Sequence, residues 1–161
     1  MPKLRGDELN KLKGRLLNLA IGEFAALCTF YVLYRLSNPG NACRIAFLYL
    51  LLILLQGSLY WFYRYVLIAR KRSSGITAEK LLRLLRWINV IILVAVSAAM
   101  PIIKSSVTDL IVSAGILLFG IIEYINYYWY RLSYGKSGFN IKILIRTGLK
   151  KSSISKLISK Q

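Results

Sequence analysis

A chain of 161 residues that is 57% hydrophobic yet carries a formal net charge of +17 cannot hold both properties in one soluble core, so the two must be segregated along the sequence. It contains no histidine, and its two cysteines, Cys28 and Cys43, have neither C-x-x-C nor metal-ligand spacing. The commonest metal ligand and the commonest general base are therefore missing, which all but excludes a metalloenzyme or a histidine-based hydrolase; no metal and no cofactor is expected.

In chain order, residues 1–15 form a basic stub with Lys3, Arg5, Lys11, Lys13 and Arg15, in which Asp7 is placed to cap a helix that continues into the first apolar run. That run, 16–36, reaches the ~20 residues needed to cross a bilayer. It is too long for a removable signal and lacks a small-x-small cleavage pattern. Ser37-Asn38-Pro39-Gly40-Asn41 is dense turn chemistry and predicts a tight reversal into a second span, 45–68. A basic connector with Arg70, Lys71, Arg72, Lys80, Arg83 and Arg86 is broken at Ser73-Ser74-Gly75. Thr77-Ala78-Glu79-Lys80 then opens a helix that enters the third span, 87–103, with Pro101 near its far end, where a break in helical hydrogen bonding costs least. The turn at 104–109 leads to the fourth span, 110–130. These runs are apolar nearly all round, which suits lipid better than the one-sided burial of a soluble helix. The expected fold is all-α: a polytopic membrane domain of four transmembrane helices, 16–130, between the stub and a basic tail, 131–161.

Lysine and arginine crowd the stub, the connector and the tail, whereas the turn at 37–44 holds Arg44 and the turn at 104–109 holds Lys104. Basic residues in short loops stay on the cytoplasmic face, so both termini are expected there, in a membrane that the composition suits to a bacterial cell. In the tail, Ile141, Leu144, Ile145 and Leu149 share one side at helical spacing, with Lys142, Arg146 and Lys150 elsewhere, and Ile154, Leu157 and Ile158 repeat the pattern. Two descriptions fit: a basic amphipathic helix on an anionic leaflet, or an unstructured basic tail that sets topology.

An internal repeat is also legible. Gln56, Tyr60, Tyr63 and Arg64 match Glu123, Tyr127, Tyr130 and Arg131 in spacing, and Glu8, Arg15 and Asn18 match Glu79, Arg86 and Asn89. Two parallel helical hairpins would produce this pattern; so would the general abundance of tyrosine and arginine at membrane edges.

Polar groups inside spans default to a functional hypothesis because they are costly there. The candidate intramembrane site is Glu23, Gln56, Arg64, Glu123 and Asn126, with interhelical hydrogen bonding as the structural alternative. The candidate contact with inner-leaflet lipid is Tyr60, Tyr63, Tyr127, Tyr130, Arg131, Lys142, Arg146, Lys150 and Lys151, since aromatics and cations both concentrate toward the cytoplasmic side. Such placement accounts for the basic charge without a nucleic-acid partner.

Two functions follow. The first is a non-enzymatic accessory protein that binds anionic lipid, a membrane partner or a second copy of itself at the inner leaflet. The second is a proton-coupled transporter or flippase using Glu23 and Glu123. Four helices with a glutamate in the first superficially resemble the small multidrug resistance transporters, but greater length, the basic tail and the lack of that family's other motifs separate this chain from them. A lipid-modifying enzyme has no recognisable motif in its favour.

Overall fold

The computed structural model of the protein describes residues 6–72, 75–132 and 150–159. Among the described residues five helices follow in order: α1 (Gly6–Ser37), α2 (Asn41–Ala69), α3 (Ile76–Ile103), α4 (Val107–Tyr128) and a short α5 (Ser153–Ile158). The first four are each long and apolar enough to cross a membrane. The protein is thus all-α with four candidate spans, a multi-pass membrane architecture.

The helices extend further than the apolar runs, and the turns shrink accordingly. Between α1 and α2 only Asn38-Pro39-Gly40 is non-helical, not the whole stretch 37–44. Asn38 takes the left-handed conformation (φ 41°), which asparagine tolerates better than most residues, and Pro39 then prevents α1 from continuing. Cys43 and Arg44, expected in the turn, consequently lie in the first turn of α2, with Cys43 buried. Asp109 likewise lies inside α4 and not in the preceding turn. At its other end α4 stops at Tyr128, so Trp129 and Tyr130 leave the helix earlier than the span 110–130 implies. The α2 terminus closes with Arg72 N–H donating to the Leu67 carbonyl (2.9 Å), while Lys71 (φ 51°) occupies the left-handed position where glycine is usual.

The chain divides into two compact units. Unit 1 contains 1–38 and 54–74, and unit 2 contains 39–53 and 75–161, so α2 contributes its second half to the first and its first half to the second. In unit 1, Leu16, Ala20, Leu54, Ser58 and Tyr60 are buried, and the Ser58 hydroxyl donates to the Ala20 carbonyl (3.3 Å). Small residues permit this close approach of α1 to α2, as is usual between helices in lipid.

In unit 2, α2 buries Ala42, Ala46, Leu50 and Ile53, a stripe at spacings of three and four. The buried stripe of α4 is Asp109, Ser113, Leu117, Gly120, Tyr124, Tyr127 and Tyr128, while Ile111, Val112, Leu118 and Ile122 point outward. Polar and small groups are inside and aliphatic ones outside, the reverse of a soluble helix. In lipid, apolar burial drives nothing, and polar groups gain most from each other. Gly120 marks the closest approach: a Cβ there would lie 3.0 Å from Tyr49 Cδ1 and 3.8 Å from the Leu50 Cα.

The described end of the tail packs on protein. α5 packs on α3 and α4, with Ile154 and Leu157 buried. An antiparallel bridge between Tyr130 and Lys151 brings it there, through Arg131 N–H to Lys150 carbonyl (2.9 Å) and Ser152 N–H to Trp129 carbonyl (3.0 Å). Arg83 adds a hydrogen bond to the Ile158 carbonyl (3.2 Å). The apolar side of 154–158 therefore meets protein. The earlier part of the expected helix, with Ile141, Leu144, Ile145 and Leu149, lies outside the described residues.

Candidate functional site

The five intramembrane candidates fall into two sets, one in each unit. Glu23, Gln56 and Arg64 belong to unit 1, where each is half-buried. Arg64 reaches no acceptor through its Nε, which is buried without a hydrogen-bond partner. Glu123 and Asn126 belong to unit 2, half-buried at the edge of the inward stripe of α4, not at its centre. Asn126 Nδ2 donates to Glu123 Oε2 (3.4 Å), the Tyr127 hydroxyl hydrogen-bonds the same carboxyl group, and Asn126 Oδ1 accepts from the Leu132 N–H (3.0 Å). Glu123 is thus served by neighbours three and four residues along its own helix, and Asn126 holds the chain as it leaves that helix.

Among the lipid-contact candidates, Tyr60 and Tyr127 must be corrected. Each is only 4% exposed, because the helix face that carries it packs against protein, so neither can reach a headgroup from outside. Tyr63 is half-buried. Tyr130, Arg131, Lys150 and Lys151 are exposed, and the bridge brings these four together at one point of unit 2. Lys142 and Arg146 lie outside the described residues. Of the residues matched in the sequence repeat, Tyr60 and Tyr127 are both buried, whereas Asn18 is exposed and Asn89 is 0% exposed.

Two polar centres of unit 2 lie outside the candidate set. At the N-terminus of α4, the Asp109 carboxylate accepts from the backbone N–H groups of Ala42 (3.2 Å), Cys43 (3.0 Å) and Ser105 (2.9 Å). The Ser106 hydroxyl caps α4 by accepting from Asp109 N–H (3.0 Å), and Ser105 Oγ accepts from Asn41 N–H (3.2 Å). One carboxylate thereby joins two helix N-termini, satisfying donors that a helix start leaves unmet. Gly40 is required here, because a Cβ would collide with the Asp109 carboxyl group. The sequence signal was Ser106-Val107-Thr108-Asp109, a serine followed three residues later by an acid, which marks a helix start.

The second centre joins the N-terminal part of α3 to the end of α4. The Tyr124 hydroxyl donates to the Arg86 carbonyl (3.1 Å) and accepts from Trp129 Nε1 (3.2 Å). The Arg86 guanidinium lies 3.5 Å from the centroid of the Trp129 ring, a cation–π contact. Tyr124 stacks on Tyr128 (5.4 Å between centroids), and buried Asn89 hydrogen-bonds the Tyr128 side chain. Arg86 and Asn89 are one turn apart on α3, as are Tyr124 and Tyr128 on α4, so a register reading of both helices could have paired them. Nothing in one sequence, however, indicates that these two faces meet.

Comparison with protein-family models, with curated proteins and with solved structures finds no match to this chain.

Proposed function

We propose that this chain is a small, non-enzymatic multi-pass membrane protein of the bacterial cytoplasmic membrane, with both termini cytoplasmic. It acts as an accessory protein that gathers anionic lipid at the inner leaflet. The observation that carries this reading is the return of the tail onto α3 and α4, which sets Lys150 and Lys151 beside Trp129, Tyr130 and Arg131. A tail that only sets topology needs positive charge but no fixed position for it. Cations and amphipathic aromatics held together at a span end suit a surface where phosphate headgroups meet acyl chains. Transport through Glu123 gains less support, since that carboxyl group is bonded within its own helix.

The test is the composition of lipid that remains with the protein after gentle detergent extraction and size-exclusion chromatography. Anionic phospholipid should be enriched over its share of the source membrane. Retained lipid matching the bulk membrane, or no retained lipid, would remove the reading.

A further inference from the structure

Arg86 has a supported face and an unserved edge. Its guanidinium carbon lies 3.5 Å from the centroid of the Trp129 ring, and this contact meets the charge through the ring face. It does nothing for the N–H donors, which lie in the guanidinium plane and point away from its rim. The Nε is buried without a hydrogen-bond partner. Arginine cannot relieve this by losing its proton.

The stack is also fixed from beneath. The Tyr124 hydroxyl holds the backbone of one member through the Arg86 carbonyl and the ring of the other through Trp129 Nε1. A single side chain thereby orients both, the kind of support that binding groups need if little ordering is to be lost on capture.

The tail then adds positive charge at the same end of α4. In the antiparallel bridge Tyr130 faces Lys151, and the flanking positions Arg131 and Lys150 oppose each other. Arg86 itself immediately precedes the apolar run that opens with Trp87, and Leu84, Trp87 and Ile91 around it are all exposed. A cation at the border of an exposed apolar face sits at the depth of the lipid phosphate, with surface alongside for an acyl chain.

We propose that Arg86, seated on Trp129 and assisted by Lys151, binds the phosphate of an anionic phospholipid, with Tyr124 as the positioning residue. This rests on the reading that this end of unit 2 faces the anionic leaflet, and it names the residues that take the headgroup. Arg86 is not needed for that broader reading, so the two can fail separately.

The experiment uses the full chain in a neutral detergent with Trp61→Phe and Trp87→Phe, leaving Trp129 as the sole indole reporter. Short-chain phosphatidylglycerol, short-chain phosphatidylcholine and inorganic phosphate are titrated in turn while Trp129 emission is followed. Phosphatidylglycerol should give a saturable change, with phosphatidylcholine and inorganic phosphate much weaker. Arg86→Gln should weaken phosphatidylglycerol binding by about tenfold, and Lys151→Gln by about fivefold. Unchanged affinity in Arg86→Gln would overturn this site while leaving the anionic-lipid reading standing. Equal response to both lipids would remove site and reading together. Saturation by inorganic phosphate at the same concentration would overturn the lipid assignment in favour of a free anion. Should Arg86→Gln fail to fold, Lys151→Gln decides, because its side chain is exposed and outside the core; no loss of affinity there overturns the proposal.

Discussion

The two ends of α4 solve the same problem in opposite ways. At the Asp109 end, one carboxylate meets three backbone N–H groups, two from the start of α2 and one from the turn before α4, and the hydroxyls of Ser105 and Ser106 complete the set. At the Trp129 end, roughly 30 Å away along the helix, a guanidinium lies on an indole with its Nε unserved, and Lys151 pairs with Tyr130 in the adjoining bridge. The first arrangement is closed: its donors and acceptors are matched within the protein. The second is ordered but open, since Tyr124 positions both partners without supplying an anion. A polar centre whose groups are matched serves the fold, and one held rigid with donors to spare is available to a ligand.

The largest effect should come from breaking the closed end. Asp109→Ala leaves the N–H groups of Ala42, Cys43 and Ser105 without their acceptor, so it should give the greatest fall in thermal stability of the three variants considered, measured as loss of monodisperse protein on heating in detergent. Unchanged melting would mean that water replaces the carboxylate and that this end is not a structural clamp. Tyr124→Phe is expected to be intermediate. It removes two hydrogen bonds around one hydroxyl, for a loss of about 1–2 kcal/mol, and it should broaden or shift Trp129 emission even before lipid is added. A variant that melts earlier but keeps the wild-type Trp129 spectrum would separate the core role of Tyr124 from its positioning role. The smallest effect belongs to Arg86→Gln in lipid-stripped protein, within about 1 kcal/mol for loss of an edge cation–π contact. The comparison sharpens if added anionic lipid then raises the melting temperature of wild type more than that of the variant. A loss as large as that of Asp109→Ala would make the open end structural as well.

Several particular residues show how far one-dimensional reasoning reached. Spans were legible because length and hydrophobicity act locally: Leu16, Ile45, Trp87 and Leu110 each begin a run whose helix is present. Turn chemistry at Asn38-Pro39-Gly40 was legible for the same reason, although the helices took up more of each turn than composition implied. Candidate side chains were found less well. Depth in a span picked out Glu123 and Asn126, but depth says nothing of facing, and both sit at the edge of the inward stripe. Tyr60 and Tyr127 were read from their place near an interface as lipid contacts, and packing buries them. Asp109 was read as turn because an acid at a span boundary needs no further explanation; its role depends on Ala42 and Cys43, some 67 and 66 residues away.

From the sequence alone came the class of the protein: four helices able to cross a membrane, the separation of charge from apolar length, and the absence of histidine chemistry. Each of these is a property of composition over short stretches, and lipid enforces it because unmet backbone polarity is not tolerated in hydrocarbon. Only the tertiary structure decided that α2 divides between two units, that 154–158 buries its apolar side against α3 and α4, that Arg86 meets Trp129, and that Lys151 pairs with Tyr130. The physical reason is that a helix apolar nearly all round carries little information about which face meets protein. That choice is made by small and polar groups such as Gly120, Ser113, Asn89 and Tyr128, whose partners lie on other helices and leave no periodic mark in the chain.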